Sequence, residues 1–288
     1  MSVSVWNDLS WVEGIRSPFL NIFFDTISLA GYPTFLILFI SFGYFYWSPA
    51  RFSRVAMMLF ISALINIFLK DFFQDPRPAI ELMLDPKIGT TYGWPSGHSQ
   101  IAVTLWGLLA YELKKKWITV GAISTIILIA FSRMYLGVHD LGDVFAGLLI
   151  GTMILFVWHH AVINNWYEKL TKRHWLILII IFQLILYIFY PSHEGHDLSI
   201  WFLGVMTGWF VGLSNISLIS RQPFKRFFIS ILATAIVFMS LIYITQLEQS
   251  IQIKGMLGTI SSYLLGMIFS ILVTWLIPRL LRSIRLAL

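Results

Sequence analysis

The sequence predicts an all-α fold: a polytopic transmembrane helix bundle of about nine spans. A core would occupy the first five, with four C-terminal helices appended. Three observations carry this expectation. Only 12% of the 288 residues are charged, against 58% hydrophobic, and the mean hydropathy is +0.78; a soluble domain carries about 25% charge. The apolar runs are long and unbroken, which favours helices over barrel strands. The basic residues alternate between loops, as the positive-inside rule asks of a multi-span protein.

From the N-terminus, MSVSVWNDLSWVEGI has neither the basic nor the apolar region of a cleaved signal, so no processing is expected. Residues 17–30 mix apolar and polar positions and read as a helix lying in the membrane interface, completing an N-terminal segment over 1–31. Five spans are predicted at 32–47, 54–73, 97–113, 117–133 and 141–159, which define a core over 32–160. Four more, at 175–189, 198–219, 227–244 and 255–277, form a transmembrane extension over 161–288. Several fall short of the roughly 20 residues that cross a bilayer untilted.

Nine spans put the termini on opposite sides. Arg51, Arg54, Lys114, Lys115, Lys116, Lys169, Lys172, Arg173, Arg221, Lys225, Arg226, Arg279, Arg282 and Arg285 then share one side, 14 of the 20 Lys and Arg. That side is cytoplasmic by the positive-inside rule, with the N-terminus outside and the C-terminus inside. Only Glu112 and Glu168 of the acids accompany them, so the net charge of +6 reflects topology rather than nucleic-acid binding. Tryptophans 47, 94, 117, 158, 166, 175 and 201 cluster near span ends as an aromatic belt would. Gly204, Gly208 and Gly212, like Gly147 and Gly151, recur every four residues and mark close-packing helix faces. With no cysteine, disulfides, thiol catalysis and thiolate-bound metals are excluded.

Against this apolar background, Ser132, Arg133, His139 and Asp143 stand at the mouth between two spans. Ionisable groups at membrane depth cost about 2.5–3.5 kcal/mol each at a helix centre, so the cluster needs a reason. His139 and Asp143, four apart, would share one helical face and touch. A carboxylate on one imidazole nitrogen makes the other a better base or nucleophile, and the Arg133 fork suits phosphate oxygens. The bland alternative is a buried network that only locks two helices. The loop after the second span supplies Lys70, Arg77 and Pro78; the one before the third ends in Pro95, Ser96, Gly97 and His98. All fall on the same outer face. Ser96 and Gly97 open a helix, where backbone N–H groups favour an anion; capping alone would equally account for Ser96. Gly97 permits close backbone approach, and His98 could protonate a leaving oxygen.

K-x6-RP, PSGH and SR-x5-H-x3-D, in this order and spacing, resemble the three signature motifs of the type 2 phosphatidic acid phosphatase superfamily, over roughly residues 27–157. The resemblance implies a metal-independent phosphohydrolase without cofactor. In it, His139 attacks phosphorus and becomes a phosphohistidine, with Asp143 orienting it. His98 is the general acid, while Lys70, Arg77, Arg133, Ser96 and the Gly97 backbone hold the phosphoryl oxygens. The substrate expected from an outer-face site level with headgroups is a lipid phosphate or diphosphate, a polyprenyl diphosphate first. Sphingoid or glycerolipid monophosphates come next and a soluble sugar phosphate third.

The chain departs from many members in replacing an early span with the 17–30 segment and in adding four spans. These could complete a lipid groove, bind a partner or form a homodimer face; plain extension of the bundle serves equally. A phosphotransferase acting from His139 is the second enzymatic reading, and a lipid transporter or scramblase the non-enzymatic one. His193, Glu194, His196 and Asp197 share a loop that is weakly suggestive of a metal, and the Asn215 glycosylation triplet falls on the cytoplasmic side. Lack of cysteine favours a bacterial plasma membrane, with the site facing the periplasm or outside.

Overall fold

The computed structural model describes residues 7–88, 91–166, 169, 171–190, 196–212, 222–251 and 256–283, and the regular elements among them are all helices. Prolines pre-set several helix starts. Pro18 opens α2 (Pro18–Ser28) beneath a Ser17 cap, after a short α1 (Trp11–Ile15), and Pro33 opens α3 (Pro33–Tyr46). Pro49 begins α4 (Pro49–Phe73) after a two-residue turn; Gln74, at φ 52°, ends it in the left-handed region.

Next come α5 (97–113), with a π-turn at Val103–Gly107, α6 (Lys116–Tyr135) and α7 (Leu141–Ile163). Beyond them lie α8 (Lys172–Phe189), α9 (His196–Gly212), α10 (Pro223–Ile251) and α11 (256–283), the last with a π-turn at Leu272–Leu276.

Among the described residues, each of the nine predicted spans falls on a helix, but nine crossings do not follow. Among the described residues, five helices, α4, α6, α7, α10 and α11, are long and apolar enough to cross a membrane. A sixth counts only if α2 and α3, bent by 55° at their junction, make one broken span. The protein is an integral membrane protein on this evidence. For α3 the shortfall is one of length: at 1.5 Å per residue, its 14 residues reach less far than the hydrocarbon core. The 17–30 segment is helical as expected, and it is held against protein: Phe24 is buried with its ring 4.5 Å from Tyr135 and 5.3 Å from Phe131.

The chain divides into two compact units, one of residues 1–36 and 61–167, the other of 37–60 and 168–288. In the first, Gly147 and Gly151 of α7 lie flat against α5: a Cβ at Gly147 would stand 3.0 Å from Ser99 Cβ, and one at Gly151 2.8 Å from Val103 Cβ. This close approach lets the Ser96 backbone N–H donate to the Asp143 carbonyl at 3.0 Å, joining the starts of α5 and α7. In the second unit, Gly204, Gly208 and Gly212 of α9 face α11 in the same manner, with Tyr263, Met267 and Thr274 where side chains would otherwise stand. Within that unit Gln183 donates to Thr207 Oγ1 (2.7 Å), and the Tyr263 hydroxyl joins both.

Candidate active site

His139 does not sit on a helix. It lies in the turn 136–140, and α7 starts two residues later behind the Asp140 cap. Asp143, at the third helical position, completes a capping box: its N–H donates to Asp140 Oδ1 (2.9 Å), and its own Oδ2 accepts from the Asp140 N–H (3.3 Å). The same Oδ2 lies 2.9 Å from His139 Nδ1. The predicted contact therefore exists for a different reason: the cap folds the turn back over the first helical turn.

The opposite ring nitrogen, Nε2, lies 3.3 Å from the Arg77 guanidinium. Guanidinium only donates, so Nε2 must accept, and the proton sits on Nδ1 against Asp143. Burial, then the nearby charges of Lys70, Arg77 and Arg133, hold the His139 imidazolium pKa well below 6.5. A neutral ring with its Nε2 lone pair directed at cations is the form a nucleophile needs.

Those cations are fixed from several sides. Arg77 donates from Nε to Thr91 O (2.6 Å), from a terminal nitrogen to Thr91 Oγ1 (2.7 Å) and from the other to Val138 O (2.8 Å). Burial, with Arg133 nearby, lowers its pKa to about 10, so it stays charged at neutral pH. Lys70, one turn from the end of α4, donates to the carbonyls of Tyr92 and Gly93, the latter at 2.8 Å. Gly93 in turn donates its N–H to Asp75 O (2.8 Å), which ties the two ends of the segment between α4 and α5 together; the Trp94–Pro95 bond is cis.

Ser96 caps α5, its Oγ accepting from Ser99 Oγ at 3.0 Å. A Cβ on Gly97 would stand 2.9 Å from Asn66 Oδ1, so what approaches this glycine is a side chain of α4. Asn66 donates to Pro95 O (3.1 Å) and Gln100 Oε1 (3.0 Å), pinning the loop to the helix that carries Lys70. His98 Nε2 is buried with no hydrogen-bond partner among the described residues. Its ring meets Tyr32 edge-on at 4.6 Å, and Gly31 makes room for it.

Arg133 is fully buried. One terminal nitrogen pairs with Asp85 Oδ2 at 3.1 Å, while Nε and the second terminal nitrogen have no partner among the described residues. Asp85 also accepts from the Tyr32 hydroxyl and from the Lys87 backbone N–H (3.2 Å). Burial pushes its pKa up, but Tyr32 and Arg133 outweigh that and leave it below the ordinary value. Asn66, Asp85, Tyr32 and Thr91 belong to no spacing pattern readable in advance; each is tied to the site only through the folded chain.

Residues of three separated segments thus meet at one imidazole: Asp143 and Arg77 touch the His139 ring, and Lys70, His98 and Arg133 act on it electrostatically. Among the described residues, no group of three or more His, Asp, Glu or Cys side chains is placed to hold a metal ion. Residues 191–195 and Asn215, which bear on the metal-loop and glycosylation expectations, lie outside the described residues, as do the side chains of His196 and Asp197.

A membrane-embedded, all-helical phosphatase is the class that these features define. Residues 51–167 match the model of the PAP2 superfamily. Phosphatidylglycerophosphatase B of Bacillus subtilis is 29% identical over 158 residues, half of this chain and 75% of the relative. Dihydrosphingosine 1-phosphate phosphatase C823.11 of Schizosaccharomyces pombe is 26% identical over 230 residues, covering 70% of this chain and 55% of that protein. Undecaprenyl-diphosphatase of Sulfolobus acidocaldarius is 41% identical over 76 residues, 26% of this chain and 35% of the relative. Among solved structures, the Bacillus subtilis PAP2-type phosphatidylglycerolphosphate phosphatase aligns with a TM-score of 0.48 at 27% identity, over 57% of this chain and 84% of that one.

Proposed function

We propose that the protein hydrolyses a lipid phosphate or diphosphate at the outer leaflet through a phosphohistidine on His139, without a metal. The observation that carries this is the His139 imidazole held by Asp143 at Nδ1 and turned toward Arg77 at Nε2. In the reaction Nε2 attacks phosphorus, and the bond to the leaving oxygen breaks as His98 delivers a proton to it; burial and the nearby cations disfavour that proton in the empty site, so the negative charge of the bound phosphate must hold it on the ring. The resulting neutral His98 then takes a proton from water, which displaces phosphate from His139. Lys70, Arg77, Arg133, Ser96 and the Gly97 backbone hold the equatorial oxygens; positioning and charge neutralisation are most of what phosphoryl transfer asks of a protein.

A polyprenyl diphosphate remains the first candidate substrate, in keeping with the undecaprenyl-diphosphatase relative. The sphingoid-phosphate reading has its own support, since the alignment with the dihydrosphingosine-phosphate phosphatase runs over 70% of this chain, well beyond a catalytic core at 32–160. The basic-residue distribution supports an outside-facing site with an outside N-terminus and cytoplasmic C-terminus. The purified protein is to be offered prenyl diphosphate, sphingoid phosphate, phosphatidylglycerophosphate and a sugar phosphate, with and without an acceptor lipid, and inorganic phosphate measured. Release from a lipid without acceptor is expected. Release only in the presence of an acceptor would make the protein a phosphotransferase.

A further inference from the structure

Asp85 belongs to none of the three motifs, yet it is a fully buried carboxylate with its partners supplied from three directions. Arg133 meets one oxygen at 3.1 Å, the Tyr32 hydroxyl meets the same oxygen, and the Lys87 N–H meets the other at 3.2 Å. A buried ion pair that served only stability would do as well replaced by apolar side chains. Here the pairing is one-sided. It takes one nitrogen of the guanidinium and leaves Nε and the second terminal nitrogen buried without partners among the described residues. Two adjacent N–H groups facing one way match two oxygens of a phosphoryl group. Tyr32 extends the bracket further, since its ring also lies edge-on to His98 at 4.6 Å and 5.9 Å from the Arg133 guanidinium.

We infer that Asp85 and Tyr32 are positioning residues for the phosphatase site: Asp85 fixes the Arg133 fork so that its two unpaired N–H groups grip the phosphoryl oxygens. The inference rests on the phosphatase reading for its role in turnover, but not for its role in anion binding. Neither residue touches the substrate. Tyr32 stands at the break between the helical stretches 18–31 and 33–46, which are bent by 55°.

The test is a double-mutant cycle on the full-length purified protein, read two ways: lipid-phosphate turnover under enzyme excess, and the Kd for inorganic phosphate. Asp85→Asn should lower kcat/KM about 10–100-fold, the scale of loss that follows a misplaced positioning group, and weaken phosphate binding. The same substitution in an Arg133→Ala background should change neither readout further, since contacting residues that act through one another do not add. Tyr32→Phe, which keeps the ring, should give a smaller loss with the same dependence on Arg133, and it serves where Asp85→Asn does not fold. Full, additive losses in the Arg133→Ala background would overturn the positioning role. Phosphate binding that follows the cycle in a protein without turnover would sink the phosphatase reading and leave the positioning role standing. A wild type that neither turns over lipid phosphate nor binds inorganic phosphate would sink both.

Discussion

Two polar clusters lie buried in helical surroundings, one in each compact unit, and they differ in what they leave unpaired. In the second unit, Gln183, Thr207 and Tyr263 satisfy one another, with Leu203 O accepting from Gln183 at 3.1 Å. In the first, two nitrogens of Arg133 and Nε2 of His98 are buried without partners among the described residues, beside a histidine ringed by cations. An unpaired buried donor costs about 1–3 kcal/mol. A closed network is glue between helices; an open one is a site shaped for something that brings the missing acceptors. A phosphoryl group brings them.

The comparison breaks most sharply at His139. His139→Ala should remove phosphate release by about 10⁴-fold or more, as loss of a nucleophile does, with the thermal midpoint little changed; full turnover would overturn the nucleophile assignment. His98→Ala should cost about 10²–10⁴-fold on a lipid phosphate, and distinctly less on p-nitrophenyl phosphate, whose leaving group needs no proton. Asp143→Asn should fall short of the His139→Ala loss.

A pH profile sharpens the contrast next. The His139 pKa lies below 6.5, so the neutral, active ring persists at neutral pH and is lost only as pH falls through the depressed value. The acid limb of kcat/KM should therefore lie below pH 6.5. Arg77→Ala removes one of the charges that depress it, so the remaining activity should show that limb moved upward. An unmoved limb would mean that Arg77 does not face the titrating group.

With Lys70, Arg77 and Arg133 in the proposed role of neutralising the phosphoryl oxygens, activity should persist in EDTA. A loss that Mg²⁺ restores would count against the metal-free mechanism. The smallest effect is expected in the closed cluster: Tyr263→Phe should cost about 1 kcal/mol of stability and leave kcat/KM within about twofold. A larger activity loss there would dissolve the distinction between glue and site.

Much of this was legible before any coordinates. The long apolar runs announced helices, since a segment without water to satisfy its backbone must do so internally, and the glycine spacings marked the faces where helices close. How many of those helices cross the membrane was not legible, because crossing depends on where each run bends and ends. The His139–Asp143 contact was foreseen from a four-residue spacing, but its cause, a capping box at a helix start, depends on backbone direction that the spacing leaves open.

By itself the sequence determined the chemistry: which residue types are present, that they are ionisable groups in an apolar chain, and that three short patterns share one face. Only the tertiary structure decided the company they keep. Asp85 reaches Arg133 across 48 residues and Tyr32 reaches Asp85 across 53. Such pairings follow from helix packing and loop closure, which no local pattern encodes.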